Sequence, residues 1–129
     1  MQLINTMKIL FLVYLLVEAV FGIGFLFFPS LMMDPMGVTL DETSATFARM
    51  FGSLIISIPV LMYFARRSTN AEFRKGVIYC VCVYLLASTI ILIVTQIRGL
   101  LNPLGWSMVV LHLVFLVWFG YYALTLKDN

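Results

Sequence analysis

Four apolar stretches, residues 8–28, 43–65, 73–96 and 104–124, fill nearly all of this 129-residue chain. Each is near the ~20 residues that a helix needs to cross the hydrocarbon of a bilayer. Hydrocarbon offers no hydrogen bonds, so a segment inside it must pair its own N–H and C=O groups, which a helix does and an irregular segment does not. A soluble bundle would carry polar outer faces at helical period, whereas these stretches are apolar nearly all round. The hydrophobic share of 63% exceeds what a soluble domain can hide, and the charged residues, 11% of the chain, fall almost entirely between the stretches or at the ends. The expected fold is therefore all-α: a single domain, residues 1–129, forming a bundle of four transmembrane helices.

Residues 8–28 differ from a secretory signal in having too long an apolar part and no small-x-small cleavage site near Phe27, Phe28, Pro29 and Ser30. They are read as an uncleaved anchor. Cys80 and Cys82, two apart on one helix, point to divergent faces and do not bridge each other. No glycosylation sequon is present, and a formal charge of +2 is too small to indicate nucleic acid.

Charge sets the expected orientation. Arg66, Arg67, Arg74 and Lys75 cluster at the link between spans two and three, while the first link holds Asp34, Asp41 and Glu42. By the positive-inside rule the second link is cytoplasmic. Lys8 and Lys127 agree and Arg98 dissents, so both termini are expected inside. Thr39 with Glu42 and Thr69 with Glu72 have capping-box spacing ahead of spans two and three. Gly99 is placed to close the third helix, and Asn102 and Pro103 to cap and open the fourth. Trp106 at one end, with Trp118, Tyr121 and Tyr122 at the other, read as interfacial aromatics. Residues 30–37 in the first link are expected to form a short helix along the membrane surface, and Pro59 to bend span two.

The chemistry sits in one layer. At ~1.5 Å of rise per residue, Glu18 lies roughly 15 Å below the outer end of span one, Arg49 roughly 9 Å into span two, and Ser88 and His112 each roughly 12 Å from the outer ends of spans three and four. Helical spacing gives each span one mildly polar face: Tyr14, Glu18, Phe21 and Phe25 on the first; Ala45, Arg49, Gly52, Ser53 and Ile56 on the second; Cys80, Tyr84, Ser88 and Thr95 on the third; Met108, His112, Phe115 and Phe119 on the fourth. Gly22, Gly24 and Gly52 permit close helix approach. A charge at mid-membrane costs roughly 2.5–3.5 kcal/mol on insertion scales, so an unpaired Glu18 tends to take up a proton and Arg49 is its expected neutralising partner. Two readings follow: a structural Glu18–Arg49 pair with His112 beside it, or a ligand or proton site built from Glu18, Arg49, His112, Tyr14, Tyr84 and Ser88.

Weaker signals are read conservatively. Met32, Met33 and Met36 are taken as apolar anchors rather than a thioether metal site. The basic cluster is explained by topology without invoking lipid binding. No nucleotide loop, paired metal-ligating histidines or Ser/His/Asp order is visible, so no catalytic or metal-binding residue is assigned, and the reading leans toward a non-catalytic component without deciding whether the chain is an enzyme.

Phe28-Pro29, the short piece at residues 31–37 and Phe47-Ala-Arg-Met-Phe-Gly52 together resemble the small bacterial four-helix inner-membrane proteins of the broad DoxX-like kind. The resemblance covers most of the chain by topology, with its motif confined to the first half. It implies a bacterial cytoplasmic-membrane location and a link to quinone-dependent oxidoreductase complexes, with Glu18 and Arg49 as candidates for a lipophilic-ligand pocket. The only cofactor it suggests is a quinone, for which the residues themselves show no ligand set. The turn Arg49-Met-Phe-Gly52 is also similar to one in the eukaryotic four-span sterol-biosynthesis scaffold protein, which points to packing. Small multidrug-resistance exporters likewise have four helices and one acid in the first, but the added Arg49 and the one-sided charge bias depart from them. The reading is thus an accessory or lipophilic-ligand-binding membrane component. A proton-coupled exporter using Glu18, or a quinone-linked membrane subunit, are the alternatives. Expected partners are the bilayer, a lipophilic small molecule, and a membrane protein or second copy of the chain.

Overall fold

The computed structural model describes residues 2–126, with side chains from residue 4, so Lys127 lies outside the described residues. All regular structure among them is helical: α1 (Gln2–Phe27), α2 (Pro29–Met33), a 3-10 turn (Asp34–Met36), α3 (Glu42–Ile55), α4 (Ser57–Arg67), α5 (Ala71–Ile97) and α6 (Gly105–Thr125). Four stretches are long and apolar enough to cross a membrane: Ile4–Phe27, Glu42–Arg67, Ala71–Ile97 and Gly105–Thr125. They coincide closely with the stretches read from the sequence. Large apolar side chains such as Val20, Leu31, Val83, Ile97 and Val117 point outward, an arrangement that lipid tolerates and water does not.

The second span is broken. Ile56 separates α3 from α4, and Pro59, lacking an N–H, cannot bond to the carbonyl a turn earlier. Ser53 and Ser57 hydroxyls donate to the Met50 and Leu54 carbonyls around the break. The expected bend is thus a short interruption just ahead of the proline.

Helix ends are capped two residues later than Thr39 and one residue later than Thr69, the positions that the threonine spacings suggest. Asp41 accepts from the Ser44 amide at 2.7 Å, and Asn70 accepts from the Phe73 amide at 2.9 Å. Glu42 and Glu72 are already inside the first turn, where they face the positive helix end but are too early to complete a capping box. The hydrogen bond from Ser44 holds the exposed Asp41 carboxyl below the usual carboxylate range. Gly99, with φ of +69°, ends α5 as expected. The α6 helix starts at Gly105, but Asn102 does prepare it, accepting from the Leu104 amide at 2.9 Å.

Two helical pairs make up the bundle: α1 lies against α3 and α4, and α5 lies against α6. They close together at the basal end, which carries the start of α1, the end of α6 and the α4–α5 link. There Met7, Leu10, Phe11, Met62, Ile78 and Phe119 are fully buried. Phe11 stacks near Phe119 at 6.1 Å, the Tyr122 hydroxyl donates to Thr6 Oγ1 at 2.8 Å, and Arg66 Nε donates to the Lys8 carbonyl at 3.2 Å. Tyr122 is therefore a core residue rather than an interfacial aromatic: on α6 it shares the inward stripe of Phe115 and Phe119. Toward the distal end the two pairs separate.

Glycines fix the register of α1 on the second span. A Cβ on Gly52 would press into the Leu26 amide and stand 2.8 Å from the Phe25 carbonyl carbon, and one on Gly22 would stand 3.0 Å from the Ile56 amide nitrogen. Neighbouring backbone cannot yield as a flexible side chain can. We expect Gly52→Ala to lower unfolding stability by about 1–3 kcal/mol, measured by steric trapping or denaturant titration in micelles, while Gly76→Ala, where the added methyl meets open space, stays near wild type.

Candidate functional site

Where the helix pairs part, they leave a cavity of about 240 Å³. Its floor is Tyr14, Leu85 and Phe115, and its walls are mostly apolar. Glu18, Tyr84, Ser88 and His112 join Tyr14 in the lining, so five of the six residues singled out from the sequence converge on one space, from α1, α5 and α6. Helical periodicity accounts for this: Tyr14, Glu18, Phe21 and Phe25 form one stripe of α1, and Met108, His112 and Phe115 one stripe of α6. Phe119, on the same stripe, drops below the cavity into the core.

Arg49 is the exception, and the expected pair with Glu18 is not formed. Glu18 is 7% exposed, Arg49 is exposed, and no described cation stands beside the carboxyl. The cause is register. Because Gly52 lies against Phe25 and Leu26, Arg49 is level with the end of α1, about 16 Å from Glu18 along the bundle axis at ~1.5 Å per residue. Counting depth from the two span ends had placed them level, but α3 rises beyond the end of α1. Arg49 also sits on the flank of the inward face made by Ala45, Gly52 and Ile55.

The remaining polar groups are sparsely satisfied. The Tyr14 hydroxyl is fully buried beside Glu18, one helical turn away, yet makes no well-formed hydrogen bond. Its ring is fixed edge-on against Phe115 and Phe119 at 4.8 and 4.9 Å. His112 Nδ1 lies 2.9 Å from the Met108 carbonyl, which can only accept, so Nδ1 carries the proton and Nε2 is the nitrogen left for other partners. The Tyr84 and His112 rings stand 6.4 Å apart.

A roof that the polar-face reading missed covers the distal side: Met33, Met36 and Leu101 line the cavity from the two distal links. The expected short helix is present as α2 and the 3-10 turn, ended by Gly37 at φ +82°. Asn102 fastens it, its backbone amide donating to the Met36 carbonyl at 2.9 Å and its side chain to the Pro35 carbonyl at 2.9 Å. Gln96 Nε2 in turn donates to the Asn102 carbonyl at 3.0 Å, leaving Gln96 Oε1 buried without a partner. The i, i+3 spacing of Met33 and Met36 was visible in the sequence; that they face inward was not. Among the described residues no cluster of His, Cys, Asp and Glu could hold a metal ion.

A second space of about 220 Å³ lies between the α3–α4 break and α5, lined by Leu54, Ser57, Leu61 and Cys80. It shares Phe51, Ile55 and Tyr84 with the first, so these three side chains border both spaces.

A family described as Domain of unknown function (DUF8292) matches residues 12–127, and the chain belongs to it. No curated protein and no solved structure matches the chain. Family membership therefore brings no activity with it. The register makes a direct test: Glu18→Gln and Arg49→Gln are expected to combine additively, within about 0.5 kcal/mol, in unfolding measurements on the double variant. A double variant more stable than the sum of the single effects would restore the ion pair.

Proposed function

We propose that this chain is a multi-pass protein of the bacterial cytoplasmic membrane that binds a small lipophilic molecule, as a non-catalytic or accessory component. The observation that carries the reading is the convergence of five polar side chains from three helices on one largely apolar cavity. A concave, mostly apolar space with a few oriented polar groups is the usual form of a small-molecule site. In hydrocarbon the argument strengthens, because polar groups there are costly: the buried Tyr14 hydroxyl has no well-formed hydrogen bond, and the Glu18 carboxyl beside it has no described cation for a partner.

Orientation follows from charge. Arg66, Arg67, Arg74 and Lys75 gather at the α4–α5 link, and Asp34, Asp41 and Glu42 at the opposite end. The positive-inside rule then puts the basal end in the cytoplasm and the cavity in the outer half of the bundle. With that placement the methionine roof lies beneath the outer headgroups. The groove at the α3–α4 break supports lateral access from the bilayer, since Phe51, Ile55 and Tyr84 border both it and the cavity.

A membrane-impermeant maleimide on intact cells is expected to label Thr39→Cys and to leave Thr69→Cys unlabelled until the cells are opened; the reverse pattern inverts the topology. For the site, Ser88→Phe fills the cavity. Organic extracts of the purified protein, analysed by mass spectrometry, are expected to contain an apolar small molecule that is reduced at least about tenfold in this variant, a change equivalent to about 1.4 kcal/mol of binding. Equal recovery from both would refute a ligand role for the cavity.

A further inference from the structure

Taking the cavity as a ligand site, we propose that its occupant is a lipophilic amine, one ring or a comparable apolar body bearing a cationic nitrogen that pairs with Glu18. The carboxyl is 7% exposed and lies within a span, yet no described side chain supplies the opposite charge. Arg49 is about three helical turns away. Lys8 and Arg66 are at the basal end, where Arg66 Nε is engaged with the Lys8 carbonyl. His112 lines the same cavity, but its Nδ1 donates to the Met108 carbonyl and its ring forms no ion pair with Glu18. A cation brought in by a ligand is the partner that the fold omits.

The walls match that chemistry. Tyr14, Phe21, Phe25, Phe51, Tyr84 and Phe115 all line the cavity, and aromatic faces attract cations through their quadrupoles, most strongly when water is excluded. An anionic head would meet no arginine or lysine among the lining residues and would be repelled by a charged Glu18. A neutral ligand would satisfy the hydroxyls but would leave Glu18 to be held as the protonated acid, whereas a cationic nitrogen supplies the charge that lets the buried group stand as a carboxylate. Size fits the body of the molecule: apolar cavities near 150 Å³ hold a benzene ring, and this one, at about 240 Å³, has room for a ring and a substituted ammonium.

Two probes of nearly equal shape decide the matter: benzyltrimethylammonium and its uncharged carbon isostere, neopentylbenzene. The full chain is reconstituted in nanodiscs, and retention is measured by equilibrium dialysis with empty nanodiscs subtracted. The expected result is at least tenfold tighter binding of the ammonium. Glu18→Gln is expected to erase the preference while the isostere still binds, whereas Glu18→Asp and Arg49→Gln preserve it. If Glu18→Gln does not fold, the comparison of the two probes on wild type and Glu18→Asp still decides. Equal or tighter binding of the isostere to wild type, or a preference that survives in a folded Glu18→Gln protein, would overturn the amine assignment and leave the cavity as a site for neutral molecules. Failure of both probes to bind would overturn the ligand reading itself.

Discussion

The contact of α1 with the second span at Gly22 and Gly52 governs most of what is distinctive here. Lipid tails are as apolar as leucine, so helices in a bilayer associate through close packing and polar contacts rather than by escaping water. Two glycines allow backbone to approach backbone, Gly22 against Ile56 and Gly52 against Phe25 and Leu26. That register lifts Arg49 to the end of α1 and leaves Glu18 below without a base. A slide of three turns would be needed to pair them, and it would pull both glycines out of contact.

The bundle is accordingly divided. Its basal half is filled by interlocking side chains, with Phe11, Tyr14, Phe115 and Phe119 in ring contact and Tyr122 tied to Thr6. Its distal half is open, and the polar residues of α1, α5 and α6 collect there. Space and polarity coincide because the inward stripes of those helices run on from the basal core into the cavity between the helix pairs. The methionine roof closes the far side with flexible, polarisable side chains suited to surfaces that must adapt to what they cover. Asn102 holds that roof through two hydrogen bonds to the first link, joining the two distal links across 67 residues of sequence.

Much of the site was legible beforehand for a simple reason: in a helix, residues four apart share a face, so Tyr14 and Glu18, Tyr84 and Ser88, and Met108 and His112 could be grouped without knowing the tertiary fold. Their depth was equally readable, since α1, α5 and α6 are each one uninterrupted helix. Arg49 failed the same treatment because α3 is offset along the axis from α1, and offset is a property of a helix pair. Tyr122 failed because an aromatic near a span end reads as interfacial whether it faces headgroups or core. Met33 and Met36 were seen, but a short link gives no period from which to tell inside from outside.

Hydropathy, charge and helical period were enough to determine that this chain folds as four apolar helices, where each begins and ends within a few residues, and which polar side chains share a face. Those properties depend on one segment at a time, because a helix in hydrocarbon satisfies its own backbone. Which faces meet, at what axial offset, and whether a buried acid finds its base were decided only in the tertiary structure. Packing between segments depends on shape at particular atoms, here the missing side chains of Gly22 and Gly52, and no pattern along a single helix carries that information.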